Sequence, residues 1–106
     1  MTLRVTVSET VEGPEVALAG DLALDTVGRL RGELIKLVGS AEPGTRVRVD
    51  LSGLTLLDSS GLSVLITAHK IAVERGASVV LASPPDHVER TLRITGLHEV
   101  LDIAVS

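Results

Sequence analysis

The chain opens with Leu3, Val5 and Val7 alternating with Arg4, Thr6 and Ser8, the two-residue period of a strand with one buried face. Gly13-Pro14 then interrupts, and Val16-Ala17-Leu18-Ala19 reads as a second strand, linked closely enough for an antiparallel pair. From Val27 the period changes. Val27, Leu30, Leu34, Leu37 and Val38 fall at offsets 0, 3, 7, 10 and 11, one face of a helix, with Asp25 or Thr26 placed to cap its start and Gly39 its end. Ser40 to Thr45 has the composition of a loop. Val47, Val49 and Leu51 form a third strand, and Leu54, Leu56 and Leu57 carry it into Asp58-Ser59-Ser60-Gly61. A second helix runs from there to Arg75 and ends at Gly76. Val79 to Ala82 is a short continuous apolar run, the mark of a strand buried on both faces. Ser83-Pro84-Pro85-Asp86 starts a third helix through Val88 and Leu92, stopped by Gly96, and Val100 to Val105 gives a last strand or a frayed tail. The order ββαβαβαβ predicts one α/β domain over residues 1–106: a mostly parallel sheet with an opening antiparallel hairpin and right-handed crossovers.

Composition narrows what such a domain can do. At 106 residues the chain can bury a core without a staple, and with no cysteine it has no disulfide, thiol nucleophile or Cys-based metal site. It also lacks Phe, Tyr and Trp, so no aromatic platform can stack a base. The net charge of −4 opposes attraction to a phosphate backbone or an anionic membrane. The first residues lack a basic-then-apolar leader, and the apolar runs fall far short of the roughly 20 residues of a membrane span. The expectation is a cytoplasmic domain with neither nucleic acid nor membrane as partner.

The second helix carries the most information. Plotted at about 100° per residue, Leu62, Leu65, Ile66 and Val73 lie on one side, and Val64, Ala68, Ile71 and Ala72 widen the apolar arc. Only Ser63, Thr67, Lys70 and Glu74 form a polar stripe, at offsets 0, 4, 7 and 11. Extrapolated one turn back, Ser59 points close to that stripe. Asp58-Ser59-Ser60-Gly61 then has two readings. Asp and Ser are preferred N-caps, although a capping box would need Glu or Gln where Gly61, Leu62 and Ser63 stand. One cap explains only one of three polar residues. The other reading is a functional hydroxyl, since unpaired N–H groups and the macrodipole favour an anion at a helix start. A phosphoryl group there adds about −1.5 to −2 charges. A partner covering that spot would hold a buried, unpaired charge at a cost of ~3–5 kcal/mol, or roughly two to three-and-a-half decades of affinity.

At these residues the sequence resembles the STAS domain family, in particular its single-domain anti-sigma-factor antagonists. The resemblance runs through Leu18-Ala19-Gly20-Asp21-Leu22, Val47-Arg48-Val49-Asp50-Leu51-Ser52, Leu57-Asp58-Ser59-Ser60-Gly61-Leu62, Gly76-Ala77 and Leu92-Arg93-Ile94-Thr95-Gly96-Leu97. It implies a STAS-like sheet packed by three to four helices and places the family's phosphoacceptor on Ser59. It further implies that the unphosphorylated domain binds an anti-sigma factor that is also a serine kinase, that phosphorylation ends the association, and that a PP2C-type phosphatase restores it. Asp58 and Ser60 would shape the helix start, Ser63, Thr67 and Lys70 would extend the docking surface, and Asp21 and Asp25 are candidate neighbours of the loop.

Two departures stand out. Family members often carry Gly-Glu-Leu-Asp after the second strand, where this chain has Gly20-Asp21-Leu22-Ala23, so the acidic neighbour is missing unless Asp25 reaches in. With the last residue at Ser106, the extra C-terminal helix of many members is expected to be absent or reduced. Among rival chemistries, a serine hydrolase lacks its elbow motif, and His69 would sit ~15 Å along the helix from Ser59 at 1.5 Å per residue. His69 falls on the apolar side as a core or interface residue, and His87 and His98 read as isolated surface residues. No spacing predicts a metal, cofactor or phosphate loop. Asp50 lacks the acidic pair and late lysine that a response-regulator acceptor needs. The remaining alternatives keep the fold: a constitutive binding subunit of a lipid-transport or stress-sensing assembly, or a plain dimerisation domain, neither with a phosphorylation switch.

Overall fold

The computed structural model describes residues 2–104. The elements are β1 (Leu3–Thr10), β2 (Gly13–Leu22), α1 (Val27–Gly39), β3 (Arg46–Leu57), α2 (Ser59–Glu74), β4 (Ser78–Ala82), α3 (Asp86–Ile94), a short 3₁₀ turn (Leu97–Glu99) and β5 (Asp102–Ala104). The five strands form one sheet in the order β1-β2-β3-β4-β5, with β1 antiparallel to β2 and the remaining pairs parallel. Because the parallel strands follow one another in sequence order, each right-handed crossover lays its helix on the same face. The core reflects this: Val16, Val49 and Leu81 of the sheet share one cluster with Leu34 of α1, Leu65 of α2 and Leu92 of α3. The other face carries Arg4, Thr6, Glu15, Arg48 and Asp50, their positions alternating with the core residues.

The expected order holds, with differences at the boundaries. Gly13 and Pro14 belong to β2 rather than to the turn. The turn is Val11-Glu12, closed by Thr10, whose hydroxyl donates to the Gly13 carbonyl (2.8 Å) and accepts from the Glu12 N–H (3.1 Å). Gly39 ends α1 in place, and Ser40 is the cap, its hydroxyl donating to the Lys36 carbonyl at 3.0 Å. Gly76 and Gly96 do adopt the left-handed conformation after α2 and α3. Val7 of the edge strand β1 is exposed, unlike Leu3 and Val5, and Val73, placed on the apolar side of α2, is also exposed. The last strand begins at Asp102, and Val105 lies outside the described residues. No helix among the described residues is long and apolar enough to cross a membrane.

One asymmetry of the sheet positions the site. β4 pairs with β3 only over Arg46–Asp50, whereas β2 follows β3 on to Leu57. The β2–β3 ribbon therefore projects past the end of β4, with register shifts between Ala17 and Ala19 and between Gly20 and Asp21. At the first shift the strands close up so far that a Cβ on Gly53 would stand 2.7 Å from the Leu18 carbonyl oxygen. The tip of this ribbon launches α2.

Candidate functional site

Asp58 separates β3 from α2 and is the N-cap, its backbone extended as a cap requires. Its Oδ1 accepts from the N–H groups of Ser60 (2.9 Å) and Gly61 (3.2 Å), which satisfies two of the helix's orphan donors. The capping reading of Asp58-Ser59-Ser60-Gly61 therefore holds for Asp58 alone. Asp58 is the cap, and Ser59, whose hydroxyl is not needed for capping, stands exposed at the first helical position. Ser60 is half-buried. No acidic residue occupies the first turn, so the positive end of the helix dipole is not neutralised there beyond the cap itself.

Gly61 is fixed by packing. A Cβ there would stand 2.7 Å from Leu22 Cγ and 2.8 Å from Leu57 Cδ1, so the helix start sits directly on the ends of β2 and β3. The Asp58 N–H donates to the Leu22 carbonyl at 3.2 Å, which ties the same strand end to the cap. This explains why the third helical position carries glycine rather than the Glu or Gln of a capping box.

The surface around Ser59 combines several of the expected residues. Ser63, Thr67 and Lys70 are exposed on the same stripe of α2, with the Thr67 hydroxyl donating to the Ser63 carbonyl at 2.9 Å. Ile66 is half-buried between them, while Leu62, Val64, Leu65, Ala68 and Ala72 enter the core. The exposed arc is thus wider than the polar stripe, and Val73 belongs to it. His69 is half-buried, its Nδ1 shut from solvent without a hydrogen-bond partner. His98, expected at the surface, is half-buried, with Nε2 3.9 Å from Glu99 Oε1. His87 is exposed.

Among the described residues no hydrogen bond joins the carboxylate of Asp21, near the end of β2, or of Asp25, in the β2–α1 turn, to the start of α2. Asp21 is engaged by Thr55, whose hydroxyl donates to its Oδ1 at 2.6 Å across the β2–β3 ribbon. Asp25 is exposed and lines a shallow concavity with Thr2, Leu3 and Arg29 at the start of α1. What joins this turn to the site is the Leu24 backbone, whose N–H donates to Asp58 Oδ2 at 3.2 Å. Leu24 and Leu56, both exposed near the helix start, were not among the expected residues. Leu24 had a signal in the sequence: it is apolar yet falls before the α1 period begins. Among the described residues no cluster of three or more His, Asp or Glu side chains is placed to hold a metal ion.

With this geometry in view, comparison with known proteins is informative. A family model described as Mlab, STAS domain, matches residues 5–102. An anti-sigma-B factor antagonist from Bacillus subtilis (strain 168) is 30% identical over 104 residues, covering 98% of this chain and 93% of the relative. Among solved structures, an anti-sigma factor antagonist from Mycobacterium paratuberculosis superposes with a TM-score of 0.81 at 23% identity, covering 99% of this chain and 87% of the other. The anti-sigma factor antagonist SpoIIAA in its unphosphorylated form gives 0.78 at 17% identity, covering 95% and 88%.

Proposed function

The chain belongs to the STAS domain family, and on that basis we propose that it is an anti-sigma-factor antagonist switched by phosphorylation of Ser59. The name of the Bacillus subtilis relative supports the first half of this reading. The second half rests on one observation: Ser59 is exposed at the start of a helix already capped by Asp58, so its hydroxyl has no structural duty. The chain acts by binding, without catalysis of its own, in the cytoplasm.

In the unphosphorylated state the anti-sigma factor, itself a serine kinase, docks over Ser59 and along Ser63, Thr67 and Lys70, and the sigma factor is released. Phosphoryl transfer then forms a bond from Ser59 Oγ to the γ-phosphorus of ATP, breaks the bond to ADP, and passes the hydroxyl proton to the kinase. The helix start tolerates the new charge, because the positive end of its dipole faces it and the first turn carries no acid. The docked partner does not, because a phosphate of about −1.5 to −2 charges would be buried against it beside Asp58. Hydrolysis by a PP2C-type phosphatase returns the hydroxyl.

The deciding experiment uses native cytoplasm. The wild-type chain should retain an anti-sigma factor, and incubation of that complex with ATP should add one phosphoryl group, located at Ser59 by mass spectrometry. Ser59→Ala should bind and stay unlabelled. Binding with no label at Ser59 would instead assign the chain as a constitutive STAS subunit.

A further inference from the structure

A single exposed leucine is ordinary on a protein surface; what sets Leu24 apart is how firmly its surroundings are held. It is 77% exposed, yet the turn that carries it is closed from both sides. The Thr26 hydroxyl donates to the Asp21 carbonyl (2.7 Å) and accepts from the Ala23 N–H (3.0 Å), and the Thr26 and Val27 N–H groups both donate to the Ala23 carbonyl. The Ala23 side chain is buried beneath it. From the other side Asp58 Oδ2 accepts the Leu24 N–H while Oδ1 of the same carboxylate caps α2. Leu24 and the helix start that displays Ser59 are therefore joined through one carboxylate.

Placement and composition point the same way. Leu24 and Leu56 stand at the Ser59 end of the sheet, whereas exposed Val11 lies in the hairpin turn, exposed Ile94 ends α3 and exposed Val100 follows it, at the opposite end. With no Phe, Tyr or Trp in the chain, an apolar anchor for a partner has to be aliphatic. An anchor held in place before binding avoids the ordering cost that a mobile loop would impose.

We infer that Leu24 is the apolar anchor of the surface around Ser59, inserted into a pocket of the docked anti-sigma factor, and that Asp58 is the positioning residue that holds it there. This rests on the reading of Ser59 as the docking switch. The occupant follows from continuity: a partner that covers Ser59 also covers the turn bonded to its cap.

Two measurements test the inference. In the unbound protein, Asp58→Asn keeps one acceptor oxygen for Ser60 and Gly61 but turns an NH₂ group toward the Leu24 N–H. Amide exchange at Leu24 should then rise about tenfold or more, while Ser60 and Gly61 stay protected. An unchanged rate at Leu24 overturns the positioning role. For the anchor, Leu24→Ala and Leu24→Met are titrated against the anti-sigma factor that the wild-type chain retains. Leu24→Ala should weaken Kd about tenfold or more with melting unchanged, and Leu24→Met should restore most of the affinity. Wild-type affinity in Leu24→Ala overturns the anchor and leaves the switch standing. Wild-type affinity in Ser59→Asp alongside weakened Leu24→Ala overturns the switch instead, and retention of no anti-sigma factor by wild type overturns both.

Discussion

The starts of α2 and α3 face the same end of the sheet and handle the same physics in opposite ways. At α3 the cap position is Pro85, with no side-chain cap bond, and Asp86 and Glu89 occupy the first turn. Those carboxylates neutralise the positive end of the helix dipole, so a further anion gains little there. At α2 one carboxylate caps the helix from outside, the first turn carries no acid, and a serine hydroxyl is displayed in the space left open. At the start of α2, capping thus falls to a residue other than the one displayed.

The contrast predicts effects of graded size. Ser59→Asp should lower affinity for the anti-sigma factor by roughly two to three-and-a-half decades, measured by titration calorimetry, while thermal stability stays within ~1 kcal/mol. A large fall in melting temperature would return Ser59 to a purely structural role. Gly61→Ala should destabilise by about 1–3 kcal/mol in urea titrations, because the added methyl meets Leu22 and Leu57 in a packed contact. Asp58→Ala removes a cap and strands the Leu24 N–H as well, at about 1–2 kcal/mol. Asp86→Ala, which removes only a dipole partner at α3, should cost about 0.3–1 kcal/mol; equal losses from the two would erase the distinction between the helix starts. Smallest of all is Arg93→Ala, which breaks the exposed i,i+4 pair with Glu89 (2.9 Å) and should stay near 0.5 kcal/mol or below.

Most of the architecture is legible in residue spacing. Leu3 and Val5 alternate as the β1 pattern requires, Val27, Leu30, Leu34 and Val38 are all buried along α1, and the run Val79 to Ala82 is buried throughout. Two boundary errors fall where a side chain settles a local choice. Thr10 closes the hairpin one step before Gly13, and Ser40 takes over the cap expected at Gly39. The Ser59 end was legible in part. Helical phase placed Ser59, Ser63, Thr67 and Lys70 on one exposed side, but it says nothing of Asp21, whose carboxylate is taken by Thr55 from the neighbouring strand.

Amino-acid order alone carries the strands, the helices, their succession and the offer of a hydroxyl at the start of α2, because all of these depend on contacts within a few residues along the chain. Three features depend on the folded chain. Asp58 reaches Leu24 34 positions earlier, Gly61 is seated on Leu22 and Leu57, and two register shifts interrupt the β2–β3 pairing before it reaches Leu57. Such contacts join segments whose separation along the chain carries no periodic signal. The strand register and packing that bring them together are properties of the whole sheet.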